Sequence, residues 1–314
     1  MNILPIYWKT KTIILDDDIY FLEELKELLS AEEEGFIFLN DPIKALDYVN
    51  TQHSEIDWYI NPKDPLQFGK MNYEVNYDLI CSMMHDKSRL DSISCIVTDY
   101  QMPQMNGIEF YKKIHRNEIF RKILLTASMP YFEVIQLLNQ QVIDSFIDKK
   151  DISKRQLFLE HLNREKYNFF QSKSRFIIES IQISSPNSPY LSNEYTKVLA
   201  NILAKYGIIE YYLLNQYGWY LLINNLGQQY YFFFFSEEDI NEMAIEAKEN
   251  IQDQKIFMSL QSYNNALCYY DMKSAGAWPE YNLWASYLKP VEKCRIGDVN
   301  YYYAISELPK AINI

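Results

Sequence analysis

One stretch constrains this chain more than any other: Ser94 to Phe110, SCIVTDYQMPQMNGIEF. Cys95-Ile96-Val97 is an apolar run that reads as a buried strand, and it closes on an acid, Asp99. Met102-Pro103 marks a turn and Asn106-Gly107 a second one. Ile108, Tyr111 and Ile114 then recur at helical spacing. A lone carboxylate at the end of a buried strand sits where open α/β sheets bind ligands. An acid placed there can hold a metal ion, accept a phosphoryl group, or both.

The same alternation runs through the first half. Thr12 to Leu15 is a short apolar strand followed at once by Asp16-Asp17-Asp18. Ile19, Leu22, Leu25, Leu28 and Leu29 form a helical stripe. Gly35 precedes a second strand, FIFL, and Asp41 caps a helix with Pro42 at its first position. After Asp99 come a helix from Ile108 to about His115, a strand from Lys122 to Thr126 and a helix from about Tyr131 to Gln140. A strand from Ser145 to Asp148 and a helix from about Ile152 follow. Five alternating βα units predict a parallel sheet covered on both faces.

All strands of a parallel sheet end on one edge. In a flavodoxin-like order, Asp16-Asp17 and Asp99 close neighbouring strands. Three carboxylates that close repel and raise one another's pKa, and a hard divalent cation relieves the conflict. Alone, Asp16-Asp17-Asp18 fits equally well an acidic cap at a helix N-terminus. Thr126 and Lys149 close the fourth and fifth strands. Singly, each is ordinary: a packed threonine and a solvated lysine.

Strand, Asp99, two residues, Met-Pro and Asn-Gly resemble the phospho-acceptor segment of CheY-like receiver domains in two-component response regulators. The resemblance covers roughly residues 8 to 150. It implies a flavodoxin-like (βα)5 fold with Asp99 as phospho-acceptor. Mg²⁺ would be held by Asp16, Asp17, Asp99 and the main-chain carbonyl of Gln101. Thr126 and Lys149 would contact the phosphoryl group, and Phe146 would move with Thr126 on activation. The implied partner is a sensor histidine kinase or phosphotransfer protein. A homodimer contact is expected through the fourth helix, fifth strand and fifth helix of the receiver, or through the C-terminal domain. No enzymatic activity is expected beyond phosphoryl acceptance and dephosphorylation at Asp99.

Two features depart from the resemblance. Receivers usually carry a cis proline after the lysine, where this chain has Lys150. A non-proline cis bond costs about 2.5–4 kcal/mol, so a trans or strained loop is expected. Asp16 and Asp99 are also 83 positions apart, more than two βα units need. The surplus is an insertion at about 51–91, between the second helix and third strand. Its first part holds two prolines and the aromatics Trp58, Tyr59 and Phe68, and reads as irregular or a short hairpin. Its second part, YDLICSMMHDKSRL, reads as helical. It either decorates its own domain or forms a contact surface for the second domain or a partner.

The expected division is a receiver at 1–152, a connecting helix at 153–180 and an α+β output domain at 181–314. Ser192 caps a helix ended by Gly207. Ile208–Leu214, Trp219–Ile223 and Tyr230–Phe235 form an antiparallel meander. Ser236 with Asp239 makes a capping box for the next helix. Further strands are expected at Ile256–Leu260, Ala266–Tyr270, Val291–Ile296 and Val299–Ile305. The run Tyr230 to Phe235 reads either as a strand buried on both faces or as an aromatic wall for a ligand or dimer strand. The segment Trp278–Trp284 fits a lid or docking loop.

Composition narrows the function classes. Residues 1–150 carry 15 Lys+Arg against 24 Asp+Glu, and the remainder 15 against 18, so neither half has the basic footprint of a nucleic-acid binder. No apolar run is long enough to span a bilayer, and the N-terminus lacks a secretory signal's apolar core. Cys81, Cys95, Cys268 and Cys294 are scattered, which argues against a zinc site or disulfide scaffold and suits the cytoplasm. The leading expectation is a phosphorelay response regulator switching a non-DNA-binding output domain. The alternatives are a phosphorylation-independent interaction scaffold on a receiver fold, or a small-molecule sensor through the C-terminal aromatic domain.

Overall fold

The computed structural model describes residues 3–30, 35–51, 60–62, 73–115, 120–127, 129–151, 155–251, 253–270 and 278–308. In chain order the elements begin with β1 (Ile6–Tyr7), β2 (Lys11–Leu15), α1 (Ile19–Leu28), β3 (Phe36–Leu39) and α2 (Pro42–Thr51). Next come β4 (Ile60–Pro62), β5 (Tyr73–Val75), α3 (Tyr77–Ser82), β6 (Ile93–Asp99), α4 (Gly107–Lys113) and β7 (Arg121–Thr126). Then follow α5 (Tyr131–Asn139), β8 (Ser145–Asp148), α6 (Arg155–Ser184), α7 (Asn193–Lys205), β9 (Ile208–Leu213) and β10 (Tyr220–Asn224). The chain goes on through β11 (Gln229–Ser236), α8 (Glu237–Asn250), α9 (Gln254–Gln261) and β12 (Asn265–Leu267). It closes with α10 (Trp284–Tyr287), β13 (Leu288–Pro290), β14 (Glu292–Ile296) and β15 (Val299–Glu307).

These elements form two compact units. The first comprises Lys9–Asp57 and Asp86–Lys173, and the second Met1–Trp8, Trp58–His85 and Ser174–Ile314. This differs from the expected boundary near residue 152. The first eight residues and most of the insertion group with the C-terminal half. The boundary at Lys173/Ser174 falls inside α6, which overlaps the expected connecting helix at 153–180.

The first unit is a five-stranded, all-parallel sheet in the order β3-β2-β6-β7-β8, the expected flavodoxin-like topology. Alternate strand residues serve opposite faces. Ile13, Leu15, Ile96 and Leu124 pack with Ala45, Val49, Phe110, Tyr111 and Val134 from α2, α4 and α5. Ile14, Val97, Ile123, Leu125 and Ile147 pack with Leu22, Leu25, Phe158 and Leu162 from α1 and α6. Every residue of β6 is buried, because helices cover both faces of this central strand.

Side-chain caps set the helix starts facing the sheet edge. Asp18 accepts N–H bonds from Tyr20 and Phe21, and Asp41 from Ile43 and Lys44. Asn106 and Glu109 form a capping box on α4. Gly107 is required there for space: a Cβ on it would lie 2.4 Å from the Asp99 carbonyl oxygen.

The second unit has a six-stranded sheet in the order β1-β9-β10-β11-β15-β14, antiparallel throughout. The expected meander is its β9-β10-β11 core. Phe232, Phe233, Phe234 and Phe235 are all buried. Phe232 and Phe234 meet Tyr195 of α7, while Phe233 and Phe235 pack with Ile240, Met243, Leu260 and Trp284. The aromatic run is therefore core on both faces.

Two expectations are corrected here. Ile256–Leu260 is not a strand but lies in α9, capped by Asp253. Ile256 and Leu260 are buried one turn apart while Met258 is exposed, which is helical periodicity. Ala266–Tyr270 contributes only β12, which pairs with β13 in a separate two-stranded sheet. Of the insertion, the described part holds the antiparallel β4–β5 pair and α3, and α3 packs against β9 in the second unit. Trp58, Tyr59 and Phe68 lie outside the described residues, as does the expected helix start at Ile152. Among the described residues, no helix is long and apolar enough to cross a membrane.

Candidate functional site

The C-terminal edge of the parallel sheet gathers the residues singled out above. A cleft of about 200 Å³ there is lined by Asp16, Asp17, Asp18, Asp99, Tyr100, Gln101, Thr126, Ala127 and Lys149. The three adjacent acids have separate duties. Asp16 is fully buried at the end of β2, Asp17 is exposed beside it, and Asp18 turns away to cap α1. The capping reading of the acidic run thus holds for Asp18 alone.

Asp99 ends β6, is 6% exposed and lines the cleft. Its Oδ2 accepts the Gln101 N–H at 3.2 Å, and its Oδ1 lies 3.0 Å from Lys149 Nζ. The same ammonium lies 2.7 Å from Asp16 Oδ2 and 4.8 Å from the centre of the Phe21 ring. Lys149 is therefore held by two carboxylates and an aromatic face. Asp16 Oδ1 accepts the Asp18 N–H at 3.0 Å.

Burial pushes the Asp16 carboxyl above its ordinary value, and the charge of Asp99 adds to it, while Lys149 and the Asp18 N–H oppose. Burial alone would lower the Lys149 ammonium. Its bonds to Asp16 and Asp99 outweigh that and hold it above its ordinary value.

One carboxylate oxygen each from Asp16, Asp17 and Asp99 lie within 4.8 Å of one another, the spacing of a shared cation. Asp16 Oδ2 is buried and, apart from the Lys149 ion pair, makes no hydrogen bond. An all-oxygen donor set with a lone pair to spare fits a hard divalent ion. Gln101 lines the same cleft.

Thr126 ends β7, and its Oγ1 accepts the Met129 N–H at 3.0 Å. Phe146 lies on β8, half-buried, with its ring edge-on to Tyr131 at 5.9 Å. Asp16, Asp17, Asp99, Gln101, Thr126 and Lys149 thus share one cleft, with Phe146 on β8, the strand that Lys149 follows. Two contributors escaped the sequence reading. Phe21 lies outside the helical stripe read from the sequence, and Asp148 reads there only as a strand end. Asp148 Oδ1 accepts the Lys150 N–H at 2.9 Å, a bond proline at 150 could not donate. No cis peptide bond occurs among the described residues.

The first unit thus has the flavodoxin-like fold with an acidic cleft at its C-terminal sheet edge, and the chain continues into a second, antiparallel unit. Among solved structures, the chain is similar to the Legionella pneumophila response regulator LqsR. That likeness has 23% identity and a TM-score of 0.72, over 98% of this chain and 90% of the other. It therefore extends through both units as a likeness of fold. A receiver-domain protein from Methanospirillum hungatei matches 51% of this chain at 17% identity and a TM-score of 0.32, covering 98% of its own length. An uncharacterized protein from Neptuniibacter caesariensis matches 53% of this chain at 14% identity and a TM-score of 0.35. No family profile matches the chain, and no curated protein matches it.

Proposed function

We propose that the chain is a response regulator that accepts a phosphoryl group on Asp99. The observation that carries this is the single Lys149 ammonium lying within 3.0 Å of both Asp16 and Asp99, in a cleft that Asp17 and Thr126 also line. Phosphoryl transfer to a carboxylate asks little covalent work of a protein; it asks for positioning and charge neutralisation.

In this reading an Asp99 carboxylate oxygen attacks phosphorus in line. An O–P bond forms, and the donor's P–N or P–O bond breaks. The leaving imidazole takes a proton from solvent, or acetate leaves as the anion. Lys149 turns from the free Asp99 carboxylate to an oxygen of the phosphoryl group it has received. The Thr126 hydroxyl donates to another, and Phe146 follows it from beside Tyr131. Asp16, Asp17, Asp99 and the Gln101 carbonyl would hold Mg²⁺, which supplies further neutralisation of the moving oxygens. The donor class is a sensor histidine kinase or phosphotransfer protein, and the second unit is the output or interaction module.

The test is intact-mass spectrometry after incubation with acetyl phosphate and Mg²⁺. Wild type should gain one phosphoryl group and Asp99→Ala none. Equal labelling of the two proteins contradicts the assignment.

A further inference from the structure

The loop that carries Lys149 is built differently from the proline-stiffened loop of receivers, and its geometry shows what replaces the proline. β8 ends at Asp148, and Lys149–Asp151 form a single 3₁₀ turn. Proline at 150 would act on the backbone of residue 149, because a proline ring restricts the residue before it. Lys150 imposes no such restriction. Instead the Asp148 carboxylate reaches across Lys149 to the Lys150 N–H at 2.9 Å. That bond closes a ring with Lys149 inside it and limits the same backbone torsions. Asp148 itself is anchored, since it pairs with Thr126 in the parallel β7–β8 register. The bond has a second consequence. A carboxylate adjacent to Lys149 competes for its ammonium. Turned back onto the backbone, Asp148 leaves that ammonium to Asp16 and Asp99, at 2.7 and 3.0 Å.

We infer that Asp148 is the positioning residue for Lys149, performing with a side-chain-to-backbone hydrogen bond the task that proline performs in receivers. It touches no reacting atom and acts through Lys149. Its catalytic consequence rests on the phospho-acceptor reading of Asp99, whereas its effect on Lys149 does not.

The experiment uses the full chain and three proteins: wild type, Asp148→Ala and Asp148→Asn. Asparagine keeps the acceptor oxygen and loses the charge, and alanine loses both. The first readout is the Lys149 ammonium signal in nitrogen-15 NMR, assigned by its loss in Lys149→Met. The second is amide hydrogen exchange at residue 150. The third is the rate of labelling by acetyl phosphate with Mg²⁺. In Asp148→Ala the Lys149 signal should broaden or vanish, and exchange at 150 should accelerate. Labelling should slow about three- to tenfold, the population cost of one hydrogen bond. Asp148→Asn should match wild type in all three. An unchanged Lys149 signal in Asp148→Ala overturns the inference. So does Asp148→Asn behaving like Asp148→Ala, because charge rather than the turn would then matter. If the NMR and exchange results hold but wild type itself takes no label, the positioning role stands and the phosphorylation reading falls.

Discussion

The two units solve the burial of a sheet in opposite ways. The first is parallel and aliphatic, and its strands run the same way. Every C-terminal strand end therefore meets on one edge, and residues 16, 99, 126 and 149 become neighbours. The second is antiparallel and aromatic, and its strand ends alternate. Two of its buried tyrosines are pinned to backbone: Tyr195 Oη donates to the Gly218 carbonyl at 2.5 Å and Tyr220 Oη to the Leu4 carbonyl at 2.9 Å. Those hydroxyls are pushed well above their ordinary pKa by burial, so they stay protonated and structural. The buried thiols of Cys81 and Cys95, each pushed up to about 12 by burial, are equally unreactive. The parallel sheet gathers its strand-end polar groups at one edge, while the antiparallel one scatters them along alternating ends.

The largest effect expected from this contrast lies in the aromatic unit. Phe233→Ala removes a fully buried ring wedged between Trp219, at 4.8 Å, and Phe235, at 6.0 Å. It should cost about 3–5 kcal/mol. Hydrogen exchange in denaturant should place the loss in the second unit, with Asp99 labelling retained; loss confined to the first unit breaks the comparison.

Next comes the metal. At about one hundred times its Kd, Mg²⁺ should stabilise the first unit by roughly 2.7 kcal/mol, and Asp16→Asn should lose most of that gain. Without Mg²⁺ the sign reverses. Asp16 titrates above its ordinary value of 3.8 because it is buried, so the folded chain holds a proton that the unfolded chain releases. The associated stability is present below pH 3.8 and is lost as the pH rises through the folded value. Asp16→Asn carries no such loss, and at pH 7 it should be more stable than metal-free wild type, with the gap closing on acidification. Urea midpoints across pH measure this. A less stable Asp16→Asn at pH 7 contradicts the account.

The smallest effect is local. Ser236→Ala removes the Ser236 Oγ bonds to Asp239 at the start of α8 and should cost about 1 kcal/mol, again in the second unit only. Asp99 labelling should be unchanged, and a drop there would show that the units do not divide the work as described.

The edge site was legible in the sequence because its cues are local. A strand can be recognised by composition, and the residue that ends it is then known. Parallel topology brings the ends together without any long-range pairing having to be guessed. β1 was not legible. It has two residues, and its partners, Tyr212 and Tyr211, lie about two hundred positions away. Pairing at that range leaves no mark in a local pattern. The helix α3 is readable from YDLICSMMHDKSRL, but its packing against β9 is long-range and leaves no such mark. The helix α9 was misread because IFMSL is short and apolar, and at that length strand and helix periods look alike. Asp148 escaped because its role depends on the N–H of the residue two positions on.

The most direct test of the central claim is hydrogen exchange with beryllofluoride and Mg²⁺, on wild type and Asp99→Ala. The account expects new protection in wild type at the strand-end loops after Asp16, Asp99, Thr126 and Asp148, and no response from Asp99→Ala. No response in wild type, or the same response in both proteins, would contradict it.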